Sequence, residues 1–359
     1  MRQICLKEIE KFSRLNFNER CDGSPPWVKD ALLKQIHFPL WKYPDRSLLE
    51  NKIAEFYQIP SSNVMVTNGA SEAIQIILLA CKFSYLPYKK ILLPIPAFII
   101  YEHLLLQWKQ QYTCIPSNLN HSVDQQQIRQ QWRSSKNTLL ILTRPNNPTG
   151  EMLPKAFVQD LLTSAAKNNN ILLLDEAYSD FAENDCVDLL SESDNLIILK
   201  TFSKAHGLAA LRVGYILSNP AITSVVNKIT IGFNVSGLSS QLALECFSES
   251  AQAELQGYLS AIKKNREILA ETLKPLGCIP FASEGNFIFL SLSEEQASLL
   301  RNFCQQQHIH VRSFNEFPYT ELPFNKSRLQ NCVRITIPLD IQPLLKVFSK
   351  LKIIASPRK

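Results

Sequence analysis

In the stretch TFSKAHGLAALRVGY, Thr201–Tyr215, a lysine at 204 follows a hydroxyl-rich turn and precedes an arginine at 212. The apolar run LIILK before it, 196–200, reads as a buried strand, so Lys204 stands at a strand exit. Burial makes an ammonium easier to deprotonate, and a neutral amine condenses with an aldehyde. Thr201, Ser203 and Arg212 supply the hydroxyls and guanidinium that a phosphate takes. An aldehyde for the lysine and a phosphate for the arginine are the two ends of pyridoxal phosphate. A lone lysine on a loop is more often simply solvated, and four other strings decide against that here.

The string TNGASEAI, 67–74, runs from a strand through Gly69 into a helix start. Backbone N–H groups of Gly69, Ala70 and Ser71 at such a start bind phosphate, although many α/β turns look alike. In RPNNPTG, 144–150, the side-chain amide of Asn147 is held in an extended turn by the proline after it, ready to donate to an anionic oxygen. DEAY, 175–178, ends the apolar run ILLLD. A carboxylate there sits where α/β ligands bind, and Asp175 would keep a pyridine nitrogen protonated, which makes the ring a better electron sink. A helix N-cap is the plainer role for Asp175. Tyr178 is placed to reach the ring hydroxyl. In PIPAFIIYEH, 94–103, Phe98 either stacks on the ring or belongs to the core.

These residues need a sheet to position them. From about 60 to 220, strand-like runs (63–67, 138–143, 171–177, 196–200, 212–218) alternate with helix-like ones (71–83, 153–168). That alternation predicts an α/β fold with a largely parallel sheet covered on both faces. Beyond it, the amphipathic stretch 252–275, then NFIFLSL, SEEQASLLRNFCQQQ, IHVRSF and VRITI, predict a smaller α+β domain. The expected division is an N-terminal segment 1–42 packing on the small domain, a large cofactor-binding domain 43–250 and the small domain 251–359. The first forty residues show no clear sheet pattern.

Composition narrows the function. Hydrophobic content is 45% and charged content 19%, ordinary for a globular protein. No apolar run reaches membrane-spanning length, and the N-terminus lacks a signal-peptide core, so a cytoplasmic protein with no membrane partner is expected. The nine cysteines form no CxxC or CxxH pair, against zinc and against a disulfide framework; His308 and His310 read as same-side strand residues, and no metal is expected. The net charge of +6 carries no basic block with aromatics, so no nucleic acid is expected.

The order TNGASE, PAFIIY, PNNPTG, DEAY, TFSKA, LRVGY resembles the fold type I pyridoxal-phosphate enzymes of the class I/II aminotransferase superfamily, over nearly the whole chain. KYPD (42–45), LNFNER (15–20) and VRITI (333–337) look like its histidinol-phosphate aminotransferase branch. The resemblance implies pyridoxal 5'-phosphate as cofactor and Lys204 as the Schiff-base lysine, with Asp175 on the ring nitrogen. It makes Asn147 and Tyr178 ligands of the ring oxygen and Phe98 the stacking residue. It assigns the phosphate to Gly69, Ala70, Ser71, Thr201, Ser203 and Arg212, with Tyr43 reaching in from a second subunit, hence a homodimer with shared sites. Arg334, and with it Arg312, would hold the anion of a small substrate.

Four departures bear on the substrate side: Ser71 where the family carries an acid, NERCDGSPP in place of an NENP-type string, His206 after the lysine, and a long stretch between Arg312 and Arg334. That stretch, 313–333, reads as an exposed loop, either a lid or an inert insertion. Transamination is the leading reading. Decarboxylation of the threonine-phosphate decarboxylase type is the alternative, and a non-catalytic regulator is the last. No GxGxxG string follows a strand, which makes a dinucleotide-binding dehydrogenase a poor reading.

Overall fold

The computed structural model of the chain describes residues 13–278, 280–315 and 322–351. Its strands are β1 (Ser13–Leu15), β2 (Val64–Thr67), β3 (Lys90–Ile95), β4 (Thr113–Pro116), β5 (Thr138–Thr143), β6 (Ile171–Asp175), β7 (Leu196–Thr201), β8 (Gly214–Ser218), β9 (Phe287–Ser291), β10 (Ile309–Ser313) and β11 (Cys332–Thr336). They form a seven-stranded sheet in the order β2-β8-β7-β6-β5-β3-β4 and a four-stranded sheet in the order β1-β10-β11-β9.

The large sheet's centre is aliphatic on both faces because both are covered. Leu140, Leu142, Leu172 and Leu174 point into one core with Phe157 and Leu161 of the helix Lys155–Ala165. Leu139, Ile141, Ile171 and Leu173 point into the other with Ile74 and Ile77 of the helix Gly69–Lys82. Strict alternation along each strand produces this split. The pairings among β3 to β7 are parallel, but β8 runs antiparallel to both β2 and β7. The link 202–213 has no crossover helix, only a short 3₁₀ turn, so the chain must return antiparallel beside β7.

In the small sheet β9, β11 and β10 are antiparallel, and β1 joins β10 in parallel. Three residues are too few to show periodicity, which is why β1 is invisible in the sequence. The helix Glu249–Leu273 starts at Ser248, whose side chain accepts the Ala251 N–H at 3.3 Å. Its buried face, with Leu255, Tyr258, Ile262 and Leu269, belongs to this sheet's core.

Two expectations are corrected here. The described part of 313–333 is not all loop: it holds the helix Pro323–Leu329, with Leu322 and Leu329 buried and the Phe324 N–H donating to Glu102 Oε1 at 3.0 Å; 316–321 lie outside the described residues. Proline at the helix's first turn and two leucines that need burial set it. His308 precedes β10 with a positive φ of 56°, so it shares no strand face with His310. Among the described residues eight cysteines are free, no group of side chains is arranged to hold a metal, and no helix is long and apolar enough to cross a membrane.

Candidate active site

A cavity of about 430 Å³ opens at the C-terminal ends of β5, β6 and β7 and reaches the small sheet. It gathers the candidate cofactor and substrate residues read from the sequence except Gly69, Tyr43 and His206. Its corners have different chemistry.

One corner is built of donors. Ala70 and Ser71 lie in the first turn of the helix Gly69–Lys82, where N–H groups have no intrahelical acceptor. Thr201 and Ser203 share a hydroxyl–hydroxyl hydrogen bond of 3.0 Å. Gly69 stands behind them with φ +71°, and a Cβ there would fall 2.7 Å from Arg212 Nη2. Glycine is thus what lets the guanidinium lie against the helix start. The carboxylate of Glu72 in the same turn is taken up by the Asn68 N–H and Asn234 and does not line the cavity, so neutral donors, a helix N-terminus and one arginine fit a phosphate.

Across the cavity floor lies Asp175, buried, with Oδ2 accepting the Tyr101 hydroxyl at 2.9 Å and Oδ1 the Ala177 N–H at 3.1 Å. No α-helix starts there, so the N-cap role is set aside. Burial pushes its pKa up; the Tyr101 and Ala177 hydrogen bonds pull it back. A desolvated carboxylate of this kind fits a protonated ring nitrogen. The donor corner and this carboxylate together fit the two ends of pyridoxal phosphate. Tyr101 was missed in the sequence, though it lies one helical turn from Phe98 in PAFIIY. Phe98 is half-buried, lines the cavity and meets Tyr101 edge-to-face at 6.4 Å.

Lys204 corrects an assumption. It is only half-buried; the buried lysine is Lys200. Lys204 Nζ donates to the Phe17 carbonyl at 2.9 Å and stands 5.6 Å from the Tyr178 ring centre. The Tyr178 hydroxyl accepts from Asn147 Nδ2 at 3.3 Å and from Asn18 Nδ2 at 3.2 Å. Asn147 Oδ1 in turn accepts from Arg334 Nη1.

Arg312 and Arg334 are directly opposite each other on β10 and β11. Like charges in that register are unfavourable. Both donate to the Asn16 carbonyl, Arg312 Nε at 3.1 Å and Arg334 Nη2 at 2.9 Å. The segment LNFN therefore touches three cations with two carbonyls, a role no side-chain pattern announces.

His206 departs from expectation. It does not line this cavity; it packs on Phe202 at 5.1 Å, lies 3.8 Å from Asp180 and faces a separate hollow on the far side. The tight turn closed by Gly207 N–H to the Lys204 carbonyl at 3.1 Å turns it away. Burial lowers its pKa, with Asp180 opposing. Tyr43 lies outside the cavity, exposed and stacked on Phe233 at 4.3 Å.

Such a site on such a fold defines a pyridoxal-phosphate enzyme. The chain belongs to the family Aminotransferase class I and II, whose model matches residues 10–348. It is an aminotransferase that uses pyridoxal phosphate. It is 28% identical over 349 residues to the histidinol-phosphate aminotransferase of Chlorobium chlorochromatii, covering 95% of this chain and 90% of the relative. The fold is similar to that of the Sinorhizobium meliloti histidinol-phosphate aminotransferase solved with pyridoxal-5'-phosphate, at a TM-score of 0.80, 21% identity, and coverage of 97% and 94% of the two chains. It is also similar to that of the L-threonine-O-3-phosphate decarboxylase of Porphyromonas gingivalis, at a TM-score of 0.76, 21% identity, and coverage of 93% and 97%.

Proposed function

We propose that this aminotransferase exchanges an amino group between a phosphorylated amine of the histidinol-phosphate type and a 2-oxo acid. The observation that carries the reading is the arginine pair, Arg312 and Arg334, brought by the small sheet into the cavity that also holds Lys204. Two guanidiniums suit an anion taken with parallel hydrogen bonds, and both a phosphate and a donor's carboxylate fit them in turn. The relatives' names support the phosphorylated amine.

The chain's residues divide the work. Ala70, Ser71, Thr201, Ser203 and Arg212 hold the phosphate; Asp175 holds a proton on the ring nitrogen; Asn147 and Tyr178 donate to the ring oxygen. Bound there, pyridoxal phosphate supplies a ring that takes up the electrons left when a bond at the substrate's α-carbon breaks. Lys204, hydrogen-bonded to a carbonyl it can release, takes the α-proton as general base and returns it as general acid. The fold alone does not separate this from decarboxylation, since both neighbours share it. Single-turnover mixing of the cofactor-loaded enzyme with histidinol phosphate and then 2-oxoglutarate tests the reading: glutamate is expected, and the absence of glutamate overturns it, with carbon dioxide release from threonine phosphate then marking a decarboxylase.

We propose further a homodimer in which Tyr43 reaches the partner's phosphate. Its support is an apolar patch: Leu33, Ile36, Leu40, Trp41, Tyr43, Leu48, Ile231 and Phe233 are all more than half exposed. Exposed apolar side chains gathered in two short segments, 33–48 and 231–233, which meet where Tyr43 stacks on Phe233, favour an interface. Mixing inactive Tyr43→Phe and Lys204→Ala chains rebuilds wild-type sites in about one quarter of positions if sites are shared. No recovery after proven subunit exchange counts against sharing.

A further inference from the structure

Three rings line the cavity: Phe17, Phe98 and Tyr178. Two have other engagements. Phe98 lies beside Tyr101, and Tyr178 is 6% exposed, hydrogen-bonded through its hydroxyl and packed edge-on against Phe287 at 5.3 Å. Phe17 differs: it lines the same cavity with 46% of its surface exposed, and the guanidiniums of Arg14 and Arg312 each lie 5.1 Å from its ring centre.

An exposed phenyl ring outside regular secondary structure would ordinarily be loosely held. Here its backbone is fixed on both sides. Before it, β1 is paired to β10 and the Asn16 carbonyl accepts from Arg312 and Arg334. At Phe17 itself the carbonyl accepts from Lys204. After it, Asn18 accepts the Asn286 Nδ2 on its carbonyl at 3.2 Å, donates its N–H to Thr336 Oγ1 at 3.1 Å and its amide to Tyr178. The ring is thus set rigidly between the reacting lysine and the arginines, with the Arg312 guanidinium 5.1 Å from its centre.

We infer that Phe17 is a specificity-determining residue: its ring is the platform on which a flat aromatic or heteroaromatic side chain of the substrate stacks while the arginines hold the anion. The inference rests on the anion role of Arg312 and Arg334 proposed above, and it names the class of substrate side chain. The geometry requires the flat group and the anion to be joined by a short link, because the ring and the Arg312 guanidinium are neighbours. Aromatic stacking of this kind favours a flat group over an aliphatic one of similar apolar area.

Every fixed contact of Phe17 other than the ring's is made by the main chain, so substitution isolates the ring. The probes are 3-phenylpropionate and 4-methylpentanoate, each a carboxylate without an amine, titrated into the cofactor-loaded enzyme by calorimetry. Wild type should bind 3-phenylpropionate about 3- to 10-fold more tightly than 4-methylpentanoate. Phe17→Ala and Phe17→Leu should erase that ratio, and Phe17→Tyr should keep it. An equal weakening of both probes in Phe17→Ala overturns the inference, because the ring would then only brace Arg312. So does an unchanged ratio in Phe17→Ala, or the absence of a wild-type preference or of saturable binding. Neither probe is a substrate, so the histidinol-phosphate reading stands or falls apart from this, on the wild-type half-reaction. In that half-reaction Phe17→Ala and Phe17→Leu should raise KM for histidinol phosphate about 3- to 10-fold, Phe17→Tyr should not, and the glutamate half-reaction should stay within about twofold in all three.

Discussion

At the ends of β5, β6 and β7 the chain buries polar groups on both faces of the sheet. On one face Thr143, Asp175 and Thr201 look into the cavity. On the other, each one residue along or before, Arg144, Glu176 and Lys200 form a closed network. Arg144 Nη1 lies 3.2 Å from Glu176 Oε1, and Lys200 Nζ lies 2.9 Å from Asp185 Oδ2, 3.7 Å from Glu176 Oε2 and 2.7 Å from Ser179 Oγ. The back face pairs its charges with one another, although Glu176 Oε2 accepts no hydrogen bond; among the described residues the front face leaves Asp175 with hydrogen-bond donors but no ion pair. Buried charge is equally present on both, so burial alone does not mark a catalytic group. What marks it is a partner the fold does not supply.

The two lysines at the exit of β7 sharpen this most. Burial works against the Lys200 ammonium, yet Tyr57, Glu176, Asp180 and Asp185 together raise its pKa well above the usual lysine value. Lys200 is therefore a fixed cation, and Lys204 is the amine that reacts. Lys204→Ala should abolish borohydride trapping of pyridoxal phosphate on the chain and lower turnover by about 10⁴-fold or more. Lys200→Ala should keep the trapping and instead lose about 3 kcal/mol of stability in denaturant titration, because buried Glu176 is left with Arg144 alone and half-exposed Asp185 loses its partner. Trapping that survives in Lys204→Ala would exchange the roles.

The carboxylates give the second contrast. Asp175→Asn should retain cofactor and lose about 10²–10³-fold in kcat, since an amide cannot keep a proton on the ring nitrogen. Near-wild-type turnover would make Asp175 structural. Glu176→Gln should leave turnover almost intact and change the pH dependence of stability. Burial, opposed by Lys200 and Arg144 and reinforced by Asp185, lifts the Glu176 pKa to about 7 from 4.5. Between those values the native carboxyl binds more proton than the unfolded one, so its contribution is full below pH 4.5 and is lost as pH rises through 7. The loss is on the order of 2–3 kcal/mol. Glu176→Gln should flatten that slope in unfolding measured from pH 4.5 to 7.5; an unchanged slope would assign it elsewhere.

The front face was legible in the sequence and the back face was not. Thr201, Ser203, Asp175 and Asn147 stand in strings whose side chains do the binding, so residue type and order carry the message. Arg144, Glu176 and Lys200 were each in view, within or beside those strings, but their partners come from neighbouring strands. One signal was available: a charged residue ending an all-apolar run must be paired. Asn16 meets the arginines and Phe17 meets Lys204 through carbonyls, which any residue has, so no side-chain pattern reveals those contacts. The sheet's layers followed from alternating aliphatic runs, while the reversal of β8 depended on the short link before it. His206 failed as a substrate-side residue because a tight turn, not sequence proximity to Lys204, sets which way it faces.

The smallest effect expected is the difference between the two arginines. Arg334 is 4% exposed, bound to Asn147 and Asn16, and lies 5.3 Å from the Phe287 ring centre; Arg312 is half-exposed and joined to Asn16. Water screens the outer one and not the inner, so an anion held by both gains more from Arg334. Arg334→Ala should lower kcat/KM of the amino-donor half-reaction by about 2–3 kcal/mol, and Arg312→Ala by about 1 kcal/mol. Arg334→Lys should recover little of the loss, because an ammonium restores the charge without the two parallel hydrogen bonds. Cofactor trapping on Lys204 should be unchanged in all three, since the phosphate corner takes no residue from β10 or β11. If Arg334→Ala costs under about 1 kcal/mol, the anion lies elsewhere on the wall. If Arg312→Ala exceeds Arg334→Ala, the outer guanidinium is the anchor, and Arg334 serves to hold Asn147 against the Tyr178 hydroxyl.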